Sequence, residues 1–249
     1  MMANKKYTAS RLHVAWLQFI STIYTIWACI KIIYFAHFTR QKQKSIDKVT
    51  NVWAKHILKP TGLKINVHNP HQQKFKIGKP IILMCNHASL YDIPVSYLAI
   101  PGSIRMLTKK ELFNIPILGA ALSKGGWVSI DRTNSEQARK DLTTAKAELE
   151  KGIMLWIAPE GTRSRDGKLH KFKKGGFHLA IETGATIIPI AIKGITDVLP
   201  SNTVKLVING EVDVVIGTEI NAADFDKKQR NELLALVEDE MRLMLGQPK

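Results

Sequence analysis

Four short segments hold residue types that can do chemistry together. The first is CNHASLYD, residues 85–92, which closes the apolar run IILMC. His87 and Asp92 stand five residues apart, so a strand-to-helix turn can bring the carboxylate to the imidazole. An alcohol is a poor nucleophile at neutral pH, and a positioned imidazole can take its proton as it attacks a carbonyl. A carboxylate on the other ring nitrogen fixes the tautomer and stabilises the imidazolium. A buried histidine capped by a helical aspartate would show the same spacing, so the pair needs support from other segments.

The second segment is GGWVSIDR, residues 125–132, a glycine pair leading into a strand that ends in Asp131-Arg132. An arginine just past a strand's carboxyl end can enter the crevice where α/β folds place ligands. Its planar fork suits a phosphate, although a surface salt bridge would use it equally. The third is WIAPEGTRSRDG, residues 156–167. Here Gly161 lets backbone approach a ligand closely. Thr162 and the local amides can donate to phosphate oxygens, and Arg163 adds charge. Glu160 can hold the arginines or accept a substrate hydroxyl; the plain alternative is a solvated turn. A fourth stretch, residues 169–180, brings Lys171, Lys173 and Lys174 to a helix start, where phosphate would also be favoured. No G-x-S-x-G elbow is present to supply a serine nucleophile. Ser89, inside the histidine segment, is the remote alternative for that role.

The elements that must position these residues follow from periodicity. Residues 45–58 read as a helix and 63–68 as a strand. From Pro80 the order alternates: strand 81–85, helix 91–100, strand 104–107, and a helix over 110–122 broken at Pro116. Strand 127–130, helix 135–151, strand 153–157, helix 175–183 and strand 187–192 follow. Residues 204–216 read as further strand with a turn at Asn209-Gly210, and 226–245 as a closing amphipathic helix. Alternation of this kind predicts one α/β domain with a central, mostly parallel sheet flanked by helices.

Hydrophobic residues form 45% of the 249, enough for a core, while the net charge of +15 asks for an anionic partner: nucleic acid, membrane surface or phosphorylated substrate. Cys29 and Cys85 have no CxxC companion and read as buried, reduced thiols. Residues Val14 to Phe38 are strongly apolar, interrupted by Lys31 and flanked on both sides by basic residues. Such a run can span a bilayer or lie in its interface as an anchor. The division is a membrane-associated segment over 1–43 and a catalytic-type domain over 44–249.

The ordered set resembles the glycerolipid acyltransferase family, most closely its 1-acylglycerol-3-phosphate O-acyltransferases. NHASLYD resembles the H-x4-D block, GGWVSIDR the second block, APEGTRS the third, and TIIPIAI (186–192) the fourth. TKKELFNIPILG (108–119) and FKKGGF (172–177) resemble linking segments, so the likeness covers about residues 44 to 215. Two departures stand out: Ala158 where an aromatic is common, and Trp127-Val128 in place of an Ile-Phe pair, both bearing on packing and chain fit. The resemblance implies His87 as general base with Asp92 its partner. It implies an acceptor-phosphate site of Arg132, Glu160, Gly161, Thr162 and Arg163, with Lys109 beside it. It further implies transfer of a fatty acyl group from acyl-CoA or acyl-carrier protein to a lysophosphatidic-acid-like hydroxyl, giving phosphatidic acid. No cofactor, no metal and no nucleic acid is expected. The protein would sit at an anionic membrane surface, on the cytoplasmic face of the inner (plasma) membrane. The alternatives are an acceptor such as glycerol 3-phosphate or another lysolipid, and, remotely, a non-catalytic basic nucleic-acid- or membrane-binding protein.

Overall fold

The computed structural model describes residues 5–75, 79–130 and 135–247, the last range without the side chains of 135–140 and 142. A short strand β1 (Tyr7–Thr8) precedes the long helix α1 (Arg11–Phe38), which starts where the Ser10 hydroxyl accepts the His13 N–H at 3.2 Å. Helix α2 (Lys42–Leu58) turns back against α1, and Gly62 ends the turn that leads to strand β2 (Lys64–His68). Then come β3 (Ile81–Cys85), α3 (Asp92–Ala99), β4 (Ile104–Lys109), α4 (Leu118–Lys124), β5 (Val128–Ile130), α5 (Ser135–Glu150) and β6 (Met154–Ile157). The chain closes with α6 (Gly175–Thr183), β7 (Thr186–Lys193), α7 (Ile195–Val198), β8 (Val207–Ile208), β9 (Glu211–Ile216), β10 (Ile220–Asn221) and α8 (Arg230–Leu245).

Among the described residues the main sheet runs β2-β9-β7-β3-β6-β4-β5, with β10 beside β7. The five strands from β7 to β5 are parallel to one another, and β9 joins β7 antiparallel. This is the α/β fold that the alternation predicts. Both faces are covered, so β3 is apolar at every position. Its residues alternate between two cores. Ile81, Leu83 and Cys85 pack with α2, α3 and the start of α1, whereas Ile82 and Met84 pack with α5, α6 and α8. In α8, Leu233, Val237 and Met241 recur every four residues and are all fully buried.

Several element boundaries differ from expectation by a few residues, β4 for example reaching Lys109 and α2 starting at Lys42. The helix expected over 110–122 with a break at Pro116 is broken there, into a 3-10 turn at Lys110–Asn114 and α4, because Pro116 disfavours helical backbone at Ile115. Strand is confined to 207–208 and 211–216 within the span 204–216. The closing helix begins at Arg230, since the Asp226 carboxylate accepts the amides of Lys228 and Gln229 and holds a turn there.

The N-terminal segment is joined to the domain at both ends. Before α1, β1 pairs antiparallel with β8 and Ala9 N–H donates to Leu206 at 2.8 Å. At its far end His37 meets Lys124 of α4 at 3.0 Å. The buried residues of α1 form two patches, Val14 with Leu17 near the start and Ala28, Cys29 and Ile32 further on. The opposite side is an apolar stripe at helical spacing: Leu12, Trp16, Phe19, Ile23, Ile30 and Phe38 are all exposed. A 28-residue helix extends about 42 Å. Its length, and the mean hydropathy of 1.6 over its most apolar 18 residues, would suffice to cross a bilayer. With both ends fixed to one domain, it lies along that domain instead of standing away from it.

The loop before α4 stores strain. Leu118 N–H donates to the Pro116 carbonyl at 2.7 Å across Ile117, whose φ is 65° and ψ −54°. That is the rare γ-turn, at a β-branched residue. Gly119 follows by necessity, because a Cβ there would lie 1.9 Å from the Phe113 carbonyl oxygen. Strain of this kind costs about 1–3 kcal/mol. Ile117→Gly should therefore be more stable than Ile117→Ala by about 1–2 kcal/mol, since both lose the side chain and only glycine relieves the backbone. Urea denaturation of the two variants checks this, and equal midpoints would contradict it.

Candidate active site

The site is built where two neighbouring parallel strands, β3 and β6, reach their carboxyl ends. Just past β3, the Asn86 side chain accepts the Ile192 N–H at 2.8 Å and donates to the Ile192 carbonyl at 3.0 Å. It carries the pairing with β7 one residue beyond the strand and fixes the backbone that bears His87. The His87 Nδ1 then lies 2.8 Å from Asp92 Oδ2. The same carboxylate oxygen accepts the amides of Ala88 and Ser89, each at 2.8 Å. Asp92 is fully buried at the first position of α3, where the helix end favours a negative group. The turn expected to bring these two residues together does so, and it does so through three hydrogen bonds on one oxygen.

With Nδ1 engaged, Nε2 is the ring nitrogen left for chemistry. Trp156 of β6 meets the imidazole edge-on, with centroids 5.6 Å apart at 84°. The indole is fixed in turn by an Nε1–H bond to Ser96 Oγ at 3.0 Å. Ser89 is fully buried and its hydroxyl donates to the Leu199 carbonyl at 2.7 Å.

The segment after β6 clamps onto this turn. Glu160 is 3% exposed. Its Oε1 accepts the His87 N–H at 3.1 Å and its Oε2 accepts the His170 N–H at 2.9 Å. Burial pushes the Glu160 carboxyl above its ordinary range, and the two amides pull partly back. Ser164 N–H donates to the His87 carbonyl at 2.7 Å. Gly161 has φ +77°, and its N–H donates to the Ala158 carbonyl at 3.0 Å. Glu160 and the Gly161 amide thus spend their hydrogen bonds on the protein's own backbone. Thr162 is exposed and Arg163 half-buried.

Arg163 and Lys109 line the same cavity as His87, about 490 Å³ in volume and walled otherwise by apolar and aromatic side chains with three threonines, Thr25, Thr50 and Thr108. Lys109, at the end of β4, lies 3.5 Å from Glu111. Arg132 lies outside the described residues; the strand that leads to it, β5, ends at Ile130 beside Lys109. Lys171, Lys173 and Lys174 form the approach to α6, where the Lys173 amide donates to Pro159 at 2.7 Å. A larger apolar groove of about 870 Å³ runs alongside, under α1, and shares Thr25, Cys29, Trp53, Leu90, Ile93 and Leu118 with the first cavity. Asn86, Trp156 and Ser164 complete the site without a sequence signal that singled them out. Trp156 reads as one more apolar residue in a strand, and the other two act through pairings across more than 70 residues of chain.

Comparison with known proteins now bears on this geometry. A family model described as Acyltransferase matches residues 64–193. The chain is similar to the chloroplastic 1-acyl-sn-glycerol-3-phosphate acyltransferase LPAT1 of Arabidopsis thaliana, 31% identical over 76% of this chain and 52% of that one. It is similar also to the 1-acyl-sn-glycerol-3-phosphate acyltransferase of Escherichia coli K12, 29% identical over 87% of this chain and 86% of that one. The chain thus spans about half the length of the plant relative and most of the bacterial one. Its fold matches the crystal structure of PlsC, the 1-acyl-sn-glycerophosphate acyltransferase of Thermotoga maritima. That match has a TM-score of 0.78 at 24% identity and covers 93% of this chain and 92% of that one. The matched family region takes in the His87–Asp92 turn, the Glu160 clamp and the strands between them, and the chain belongs to the acyltransferase family.

Proposed function

We propose that the chain transfers a fatty acyl group from acyl-CoA or acyl-carrier protein to the free hydroxyl of 1-acyl-sn-glycerol 3-phosphate, giving phosphatidic acid. One observation carries this reading: an imidazole braced by a carboxylate shares one apolar cavity with a guanidinium. The hydroxyl needs a base, the phosphate a cation and the acyl chain apolar walls, and the cavity offers all three. The names of the similar relatives agree with it. The adjoining apolar groove favours an acceptor that already carries one chain over glycerol 3-phosphate.

In this mechanism Arg163 takes the acceptor phosphate, joined by Arg132 and Lys109, with Thr162 at the rim. His87 Nε2 removes the hydroxyl proton while the oxygen attacks the thioester carbonyl. A C–O bond forms and the carbonyl becomes a tetrahedral oxyanion. Its collapse breaks the C–S bond, and His87 returns the proton to the departing thiolate. Asp92 holds the tautomer and balances the imidazolium between the two transfers. Ser89, buried and already bonded, is poorly disposed to form an acyl-enzyme. Glu160 acts as a bracket that fixes the His87 backbone and makes no direct contact with phosphate.

The chain would work on the bilayer surface. The exposed stripe of α1, on a helix fixed at both ends, supports an anchor lying in the interface. Lys5, Lys6 and Arg11 before it and Arg40, Lys42, Lys44 and Lys48 after it suit anionic headgroups of one leaflet. Two free, buried cysteines accord with the cytoplasmic side.

Transfer of label from acyl-CoA to lysophosphatidate by the purified protein in detergent tests the reading. His87→Ala should lower kcat by about 10²–10⁴-fold with melting unchanged. A rate near that of the wild type would overturn the mechanism. Glu160 gives a second test. Because its carboxyl titrates high in the native state, that state binds more protons than the unfolded chain just above the ordinary carboxylate range. Stability should fall as pH rises through that window. Glu160→Ala should abolish this slope and leave two amides without an acceptor, at about 1–3 kcal/mol for each kept from water. Urea titrations across pH 4 to 8, as a range of about four units around the carboxylate value, would show the slope surviving if Glu160 is not its source.

A further inference from the structure

Among the described residues the largest fully buried side chain is a cation outside both clamped segments: Arg105, 1% exposed, near the start of β4. Strand β5 pairs with β4 only from Leu107 onward, so the strand edge at Arg105 is open and the guanidinium fills it. Its Nη1 donates to Asp47 of α2 at 2.8 Å and to the Ile104 carbonyl at 2.7 Å. Its Nε donates to the Gly125 carbonyl at 2.6 Å. The Ser103 hydroxyl holds the second Asp47 oxygen. The guanidinium carbon lies over the Trp127 ring, 4.8 Å from its centroid. One cation thus binds α2, the start of β4 and the loop entering β5, and lies over an indole.

That indole lines the cavity containing His87. Register locates it. Val128 faces Leu107, Met106 faces Trp156, and Trp156 faces Leu83. Trp127 therefore stands three strand spacings, roughly 14 Å, across the sheet from β3. An acyl group with its carbonyl at His87 would run toward it across the wall that Tyr97 and Met106 form together, joined by the Tyr97 hydroxyl to the Met106 sulfur at 3.0 Å. A buried ion pair adds little stability over apolar residues of the same volume. Stability alone is therefore a weak reason for Arg105.

We propose that Arg105, anchored by Asp47, is a positioning residue that holds Trp127 as the far wall of the acyl cavity and so limits the chain length accepted; this rests on the acyl-transfer reading above. A wall made by packing alone could swing aside on an open strand edge. A guanidinium fixed on three sides keeps the ring in one orientation.

The test uses the full chain in detergent micelles. The double variant Asp47→Leu/Arg105→Met replaces the pair with apolar groups and should melt close to the wild type. Arg105→Lys keeps the charge but loses the fork and the planar group over the indole. Transfer is measured from a series of acyl-CoA lengths to saturating lysophosphatidate. Binding of non-transferable acyl-CoA thioethers of the same lengths is measured in parallel. Relative to the wild-type optimum, donors about two to four carbons longer should gain at least about tenfold in relative kcat/KM in the double variant. Trp127→Ala should do the same, Arg105→Lys should move in the same direction, and KM for the acceptor should not move in any of them. A folded double variant or Arg105→Lys with the wild-type length profile in both transfer and binding would overturn the proposal. Failure of the acyl-transfer reading looks different: wild type then transfers nothing, while thioether binding still reports whether the wall selects length.

Discussion

One carboxylate oxygen organises the site. Asp92 Oδ2 receives the imidazole of His87 and the amides of Ala88 and Ser89, all at 2.8 Å, inside fully buried surroundings. The tight turn between β3 and α3 brings two consecutive N–H groups to the same point as the ring. The carboxylate therefore sets the backbone and the side chain together, and neither can move without the other. Around it the protein repeats the principle. Asn86 binds the turn to β7, Glu160 binds it to the segment after β6, and Ser164 closes the other side of His87. Elements far apart in sequence thus meet on the backbone of one histidine and fix its position.

The fold explains why the cavity opens where it does. Parallel strands end together, and their loops gather on one edge, so His87, Lys109 and Arg163 come from three neighbouring strands. Helix α1 roofs the apolar groove beside them while its far side stays apolar and exposed. An amphiphile in the bilayer surface would then have a short path from lipid to base. The same geometry accounts for the burial of a cation at Arg105. The strand edge left open by the short β5 must be filled, and a guanidinium fills it while bonding to three segments.

Much of this was legible in the residues. The strands between 81 and 192 were readable because most are short apolar runs, although the polar end of β4, Thr108-Lys109, was not read as strand, and the His87–Asp92 contact followed from spacing and a strand-to-helix turn. The role of Glu160 was not legible. A glutamate between proline and glycine looks like a ligand group, and only the fold shows its two oxygens taken by amides at positions 87 and 170. Arg105 was hidden for the opposite reason: inside an apolar strand a lone arginine reads as an edge residue, and its partner Asp47 lies far away in sequence on another helix. The orientation of α1 escaped as well. Hydropathy sees the helix but not the two-residue strand before it, and that strand, with the Lys124 contact at the other end, is what ties the helix down.

The central claim is that Asp92 keeps the proton on His87 Nδ1 and leaves Nε2 free as the base. Nitrogen-15 spectra of the histidine-labelled protein in micelles, with His87 assigned by substitution, measure this directly. The account predicts a neutral ring protonated on Nδ1 in the wild type, with that preference lost in Asp92→Asn. A wild-type ring protonated on Nε2, or a tautomer indifferent to the aspartate, would contradict it.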